Sequence, residues 1–193
     1  KKNIMDKNLL INNIYNVSSY GNYVNKTVFD TEKVGSPIYG EVEKIGTDAI
    51  INKFKDRFNK DTIFYDLGSG LSKMVFHIGI QCDVKKSVGI EYSKERHQGA
   101  MDIKEKYAKE YDNIMLICGN LLDVDFSDAT VVYTDNTVFP ESVMEQIYNK
   151  IPTDCLFLYK RPLMFLPADV KQNKENKMVK RTYNQNGLTW LIK

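Results

Sequence analysis

The stretch Thr62-Ile63-Phe64-Tyr65-Asp66-Leu67-Gly68-Ser69-Gly70 passes from a short apolar, β-prone run into a glycine turn. Residues Leu71 to Ile80 beyond it carry apolar positions at helical spacing, so the segment predicts a strand, a turn and a helix. The glycines let the backbone turn tightly and approach a ligand where a Cβ would clash. The helix N-terminus that follows offers unpaired N–H groups and a partial positive charge suited to a carboxylate or phosphate. About twenty residues further on, where a ribose-binding acid is placed in nucleotide-binding α/β units, Val88-Gly89-Ile90-Glu91 reads as a second strand ending in an acid. The pattern is that of a nucleoside-binding α/β domain.

The alternation continues outward. Val42 to Phe58 and Lys94 to Lys109 read as helices, the first with Val42, Ile45, Ala49, Ile50, Phe54 and Phe58 on one face. Ile114 to Cys118, Thr130 to Tyr133 and Cys155 to Tyr159 read as buried strands, and Glu141 to Ile151 as a helix with Pro140 in its first turn. Met178 to Tyr183 and Leu188 to Ile192, joined by Asn184-Gln185-Asn186-Gly187, predict a hairpin. The fold class is therefore α/β, a doubly wound and mainly parallel sheet with a C-terminal antiparallel hairpin. Asp66, Glu91, Asn120 and Asn136 all fall at carboxyl ends of strands, where such sheets bind ligands. Residues 1–36, polar and Asn/Tyr-rich with anchors such as Leu10, Ile14, Tyr20, Tyr23 and Phe29, are expected to form a cap of loops and a short helix on the domain that spans 37–193.

Composition narrows the class. The 193 residues are 42% hydrophobic and 27% charged, with a net charge of +2, too small to argue for nucleic acid by itself. Cys82, Cys118 and Cys155 lie far apart with no CxxC and beside apolar residues, so the expectation is buried, unpaired thiols in an intracellular protein, in the nucleus or cytoplasm. Two histidines, His77 and His97, make no metal-ligand cluster, and His77 is expected to pack within its helix. No apolar run approaches the ~20 residues of a membrane span, so no membrane contact is expected.

DxGxG followed by a strand-end acid is the pattern of S-adenosyl-L-methionine-dependent methyltransferases. The GxGxxG of dinucleotide enzymes is not completed, and the P-loop is absent. The wider pattern then resembles one family. Tyr39-Gly40-Glu41 before a helix, Phe64-Tyr65-Asp66-Leu67-Gly68-Ser69-Gly70, Gly89-Ile90-Glu91 and Asp135-Asn136-Thr137-Val138-Phe139-Pro140 are together similar to the Dot-one (disruptor of telomeric silencing) family, over roughly residues 36 to 165. These are histone-lysine methyltransferases without a SET domain, built on a Rossmann-like class I methyltransferase fold.

The resemblance implies roles for individual residues. Tyr39, Gly40 and Glu41 would wrap the methionine end of S-adenosyl-L-methionine. Asp66, Gly68, Ser69 and Gly70 would line it, Glu91 would bind the ribose, and Asn120 with Leu121 would face the adenine. Asn136, in the place of the family's second Asn, would lie beside the methyl group and the entering lysine, with Phe139 as a nearby aromatic. The sequence also departs from the family: Asp135 and Thr137 replace an Asn and a Phe, Leu121 replaces an aromatic, and Lys73 stands for a Gln and is expected to pair with the cofactor carboxylate. Tyr39, Phe139 and Trp190 are candidate aromatic walls for a methylated ammonium, and Asp135 a candidate proton acceptor.

The implied activity is cofactor-dependent methylation of protein lysine, on a histone or another lysine-containing protein. Lys171, Lys174, Lys177, Lys180 and Arg181 are a candidate nucleosome or nucleic-acid contact. Methylation of RNA, DNA or a small molecule is one alternative, and a non-catalytic cofactor-binding module is another.

Overall fold

Strand β1 (Ile63–Leu67) sends alternate side chains to two different cores, and this organises the molecule. Phe64 packs on one face with Leu71, Val75, Phe76 and Val131. Tyr65 and Leu67 pack on the other with Val132, Phe126 and Phe157. A strand buried on both faces needs cover on both, which is why the run is apolar throughout rather than alternating.

The computed structural model describes residues 6–18, 40–176, 179–181 and 187–193. Their elements run α1 (Lys7–Tyr15), α2 (Lys44–Lys53), β1, α3 (Lys73–Gln81), β2 (Lys86–Glu91), α4 (Lys94–Ile103), β3 (Ile114–Cys118), β4 (Val131–Thr134), α5 (Glu141–Lys150), β5 (Leu156–Tyr159), β6 (Asn173–Glu175) and β7 (Leu188–Ile192). The sheet order is β3-β2-β1-β4-β5-β7-β6. The first five strands are parallel, while β7 is antiparallel to both β5 and β6. Helices α1, α2 and α3 and the end of α4 cover one face, and α5 with the chain around Leu163 covers the other. Strand order reverses between β1 and β4, so the cleft at their carboxyl ends is where a ligand is expected.

Helix α1 docks through Leu10, Ile11 and Ile14, and Tyr15 reaches Thr47 Oγ1 at 2.8 Å and packs edge-on against His77, 5.6 Å between rings. His77 is fully buried and bonds Gln81 at 2.7 Å; burial lowers its pKa.

Three sequence expectations change. The partner of β7 is Asn173–Glu175, not the run from Met178 to Tyr183. Of that run, Val179 to Arg181 form no strand; Arg181 makes a single antiparallel bridge to Val42. Met178 and 182–186, with most of the expected turn, lie outside the described residues. The segment from Lys94 to Lys109 is α-helical only to Ile103 and then widens into a π-type turn over Lys104–Ala108. The thiols are not all buried: Cys155 is, Cys82 is half-buried and Cys118 is exposed. Tyr20, Tyr23, Val28 and Phe29, expected anchors of the cap, lie outside the described residues.

Gly89 sets how closely the glycine turn approaches β2. A Cβ at Gly89 would come within 2.7 Å of Ser69 Oγ and 2.8 Å of Ser72 Oγ. Gly89→Ala is expected to cost about 1–3 kcal/mol by overpacking, read as a lower denaturation midpoint; an unchanged midpoint would show that the two serines turn aside freely.

Candidate functional site

The turn after β1 is held by its neighbour strand. The N–H groups of Gly68 and Ser69 both donate to the Ile90 carbonyl, at 2.9 and 3.0 Å. Gly68 and Gly70 have φ of +88° and +56°, conformations that glycine adopts without steric cost. Ser72 takes the same left-handed region at φ +59° and opens α3. The carboxylate of Glu91 joins the two halves of the cleft: Oε2 accepts from Gly70 N–H at 2.8 Å and Oε1 from Ser93 N–H at 2.8 Å. Arg96 lies 3.9 Å from Oε1. Beyond β3, no atom of the described residues other than Gly119's chain neighbours comes within 4 Å of a Cβ built there, so the space beside this strand end is open.

Asp66 faces the same cleft and is 6% exposed. Burial, and then the charges of Glu91 and Asp135, push its pKa up from 3.8 to about 8. A buried carboxylate of that kind is suited to a cationic ligand that restores its charge.

On the β4 side, Thr134 Oγ1 donates to the Leu67 carbonyl at 2.9 Å and fixes β4 against the end of β1. Asn136 is 1% exposed, and its side-chain amide ties two loops together. Its Nδ2 donates to the Arg161 carbonyl at 2.9 Å, and its Oδ1 accepts from Lys160 N–H and Arg161 N–H at 3.0 and 2.7 Å. Arg161 in turn donates to the carbonyls of Asn136 and Phe139, both at 3.1 Å. The Phe139 ring lies over the glycine turn, 3.4 Å from a Cβ built on Gly68.

The structure gathers Asp66, Gly68, Ser69, Gly70, Glu91, Asn120, Asn136 and Phe139 at the carboxyl end of the sheet, around the reversal of strand order. Tyr39 lies outside the described residues, and Gly40 and Glu41 are at the start of the segment leading to α2.

Several residues sit differently from their expected roles. Lys73 directs its ammonium at Val17 O (2.7 Å), Glu41 (2.8 Å) and Tyr15 O (3.4 Å); the chain itself supplies three acceptors, so this lysine anchors α1 and Glu41 to α3. Asp135 is ion-paired to Arg181 at 3.0 Å and accepts from Thr137 Oγ1, so its carboxylate is neutralised rather than open as a base. Leu121 is buried in the cluster that holds Val88, Ile90 and Phe126. The Trp190 ring packs edge-on against Phe54, 5.5 Å away, with Lys53 above it at 4.7 Å, on the face covered by α2. In the basic run, Arg181 is buried, while Lys171, Lys174 and Lys180 are exposed, Lys180 pairing with Glu43 at 3.0 Å; Lys177 lies outside the described residues.

Sequence reasoning missed two residues. Arg181 was placed in a basic surface run although it lies two residues after Val179, which is fully buried. Lys160 is 6% exposed and donates to Thr137 Oγ1 at 2.7 Å; its only sequence signal is its place directly after the apolar β5. Among the described residues no group of His, Cys, Asp and Glu could hold a metal ion, and no helix is long and apolar enough to cross a membrane.

The sequence profile of the family described as "Histone methylation protein DOT1" matches residues 20–181. The chain belongs to this family. A protein-lysine N-methyltransferase of Saccharolobus islandicus (strain REY15A) is 36% identical over 76 residues, which is 39% of this chain and 47% of that protein. A histone-lysine N-methyltransferase of Caenorhabditis elegans, specific for H3 lysine-79, is 28% identical over 131 residues, 62% of this chain and 14% of the nematode protein. The chain thus spans less than half the length of these relatives. Among solved structures, an RNA methyltransferase from Salinibacter ruber in complex with S-adenosyl-L-homocysteine superposes with a TM-score of 0.60 at 17% identity, over 79% of this chain and 92% of that one. A methyltransferase from Geobacter sulfurreducens gives 0.56 at 14% identity, over 77% and 79%. The DOT1-family chain therefore has the Rossmann-like class I methyltransferase fold.

The raised pKa of Asp66 makes a signed prediction. A carboxyl that holds its proton more tightly when folded favours the fold below pH 3.8, and that contribution is lost as pH rises through about 8. Asp66→Asn should raise the melting temperature of the ligand-free protein at pH 8 and flatten its decline between pH 5 and 8. A melting temperature lowered at pH 8 would show that the charged form is stabilised in the fold.

Proposed function

We propose that the protein is an S-adenosyl-L-methionine-dependent methyltransferase acting on the side-chain amine of protein lysine. The observation that carries the reading is the joint placement of Glu91, the glycine turn and Asp66 in one cleft of a DOT1-family chain. The residues fit the cofactor by their chemistry. Glu91 keeps free lone pairs for ribose hydroxyls after accepting from Gly70 and Ser93. Gly68 and Gly70, both at positive φ, make the tight turn that brings backbone N–H groups to the cleft, and the open space beside Gly119 suits a base. Asp66 meets the cationic end of the ligand. Bound there, S-adenosyl-L-methionine supplies a methyl group on a sulfonium, already activated for in-line displacement.

The protein's own part is alignment and desolvation, and alignment alone can contribute about 7–11 kcal/mol. An acceptor lysine must be neutral to attack, which at pH 7 costs about 4–5 kcal/mol from an ordinary pKa of ~10.4. Asp135 does not hold the acceptor in its charged form, because Arg181 balances it. Lys160 and Arg161 flank the same loop and oppose a further cation there. Phe139, packed over Gly68, forms an apolar wall beside the cleft. Together these favour loss of the acceptor's proton. The substrate reading follows the names of the two lysine-methylating relatives. The domain carrying the activity spans 37–193 with α1 as part of an N-terminal cap, in a protein of the nucleus or cytoplasm.

Transfer of radiolabelled methyl onto nucleosomes, free histones, a whole-cell protein extract and total RNA tests the reading. Label on protein supports it; label on RNA alone, or cofactor binding with no transfer to any of them, overturns it. Glu91→Ala should weaken cofactor binding about 10–100-fold by removing a charged acceptor, measured by calorimetry; unchanged affinity would remove the ribose role. Asn136→Ala should lower turnover more than cofactor affinity, because the amide holds the loop that bears Phe139. Equal losses in both would place Asn136 with the cofactor instead.

A further inference from the structure

Arg181 reaches the cleft from a segment far along the chain. Its side chain is fully enclosed. Nε donates to Asp135 Oδ2 at 3.0 Å, Nη1 to the carbonyls of Gly187 and Val179 at 2.9 and 3.3 Å, and Nη2 lies 3.4 Å from the Tyr133 hydroxyl. Its backbone bridges to Val42, next to Gly40 and Glu41. The neighbouring Lys180 carbonyl accepts from Glu43 N–H at 2.9 Å, and Lys180 Nζ pairs with Glu43 at 3.0 Å. Helix α2 lies so close that a Cβ on Gly46 would stand 2.5 Å from the Lys180 carbonyl oxygen. Residues 179–181 are thus strapped between two loops: 40–43, on the cofactor side of the proposed reaction, and 135–139, on the acceptor side.

We propose that Arg181 is a positioning residue that holds these two loops in one fixed relation, so that cofactor and acceptor are aligned together. This rests on the methyltransferase reading. The planar, permanently charged guanidinium suits the task, because its fork binds a carboxylate, two carbonyls and a hydroxyl at fixed angles that a lysine cannot reproduce. With the arginine gone, the partly buried Asp135 carboxylate loses its guanidinium partner while it still faces the charge of Asp66 and the Tyr133 hydroxyl. Loop 135–139 then moves away from that position, and the bridge from Val42 loses its anchor.

Hydrogen exchange read by mass spectrometry on the whole chain tests the coupling without reference to activity. Arg181→Met should raise exchange in 40–43 and in 135–139 together, with β1 and β4 still protected. Increased exchange confined to 179–187 would overturn the proposal. In kinetics, Arg181→Met should lower turnover at saturating cofactor by about tenfold or more, the loss expected from misalignment. Adding Asp135→Asn should restore part of it by removing the carboxylate that has lost its guanidinium partner. Turnover per folded molecule equal to the parent's would overturn the proposal, as would a loss that the second substitution leaves untouched. If Arg181→Met does not fold, Gly46→Ala, which wedges the Lys180 carbonyl outward and leaves the arginine intact, is read by the same exchange and turnover criteria. A parent chain that neither binds cofactor nor transfers methyl refutes the methyltransferase reading, while the exchange result still decides the coupling of the loops.

Discussion

The cleft depends on one carboxylate, that of Glu91. By accepting from Gly70 and Ser93 it joins the turn after β1 to the turn after β2. Two neighbouring parallel strands would otherwise end in independent loops. The bond also sets the turn's approach to Gly89, where there is no space for a Cβ. From that fixed corner the remaining parts follow: α3 starts at Ser72, the carbonyl of Leu67 meets Thr134, and Phe139 lies over Gly68.

Around this corner, buried cations meet carboxylates from distant parts of the chain. Lys73 meets Glu41, and Arg181 meets Asp135. Pairs of this kind add little net stability but lose much when one partner goes, so they fix arrangement more than they strengthen the fold. Asp66 is different, because the charges acting on it are those of Glu91 and Asp135, which oppose its ionisation. The cleft therefore has one carboxylate whose charge is costly until a cation arrives, beside others whose charges are already balanced.

The sheet and its cleft were legible in the sequence because parallel strands leave continuous apolar runs and the glycine turn leaves a short local signature. β1 to β5 and their carboxyl-end residues Asp66, Glu91 and Asn136 stand where the pattern put them. The rest was written in contacts between distant residues. Nothing local tells Arg181 from the basic residues around it; its burial is decided by Asp135, Gly187 and Val42. Lys73 carries a free charge on paper, and only the fold brings Tyr15, Val17 and Glu41 to it. The pairing of β7 with Asn173–Glu175 was hidden because Asn-Gly at 186–187 pointed to a partner closer in sequence.

The proposed lysine methylation would use a cofactor corner built on Glu91 and an acceptor loop built on Asn136, within a DOT1-family chain of class I methyltransferase fold. The central claim is that the methyl group is delivered to a lysine amine. The most direct measurement is tandem mass spectrometry of a protein extract and of RNA, each incubated with the protein and S-adenosyl-L-methionine carrying a heavy methyl group. The account predicts heavy methyl on lysine Nε and none on RNA. Heavy methyl on a nucleotide base, with lysines unlabelled, would contradict it.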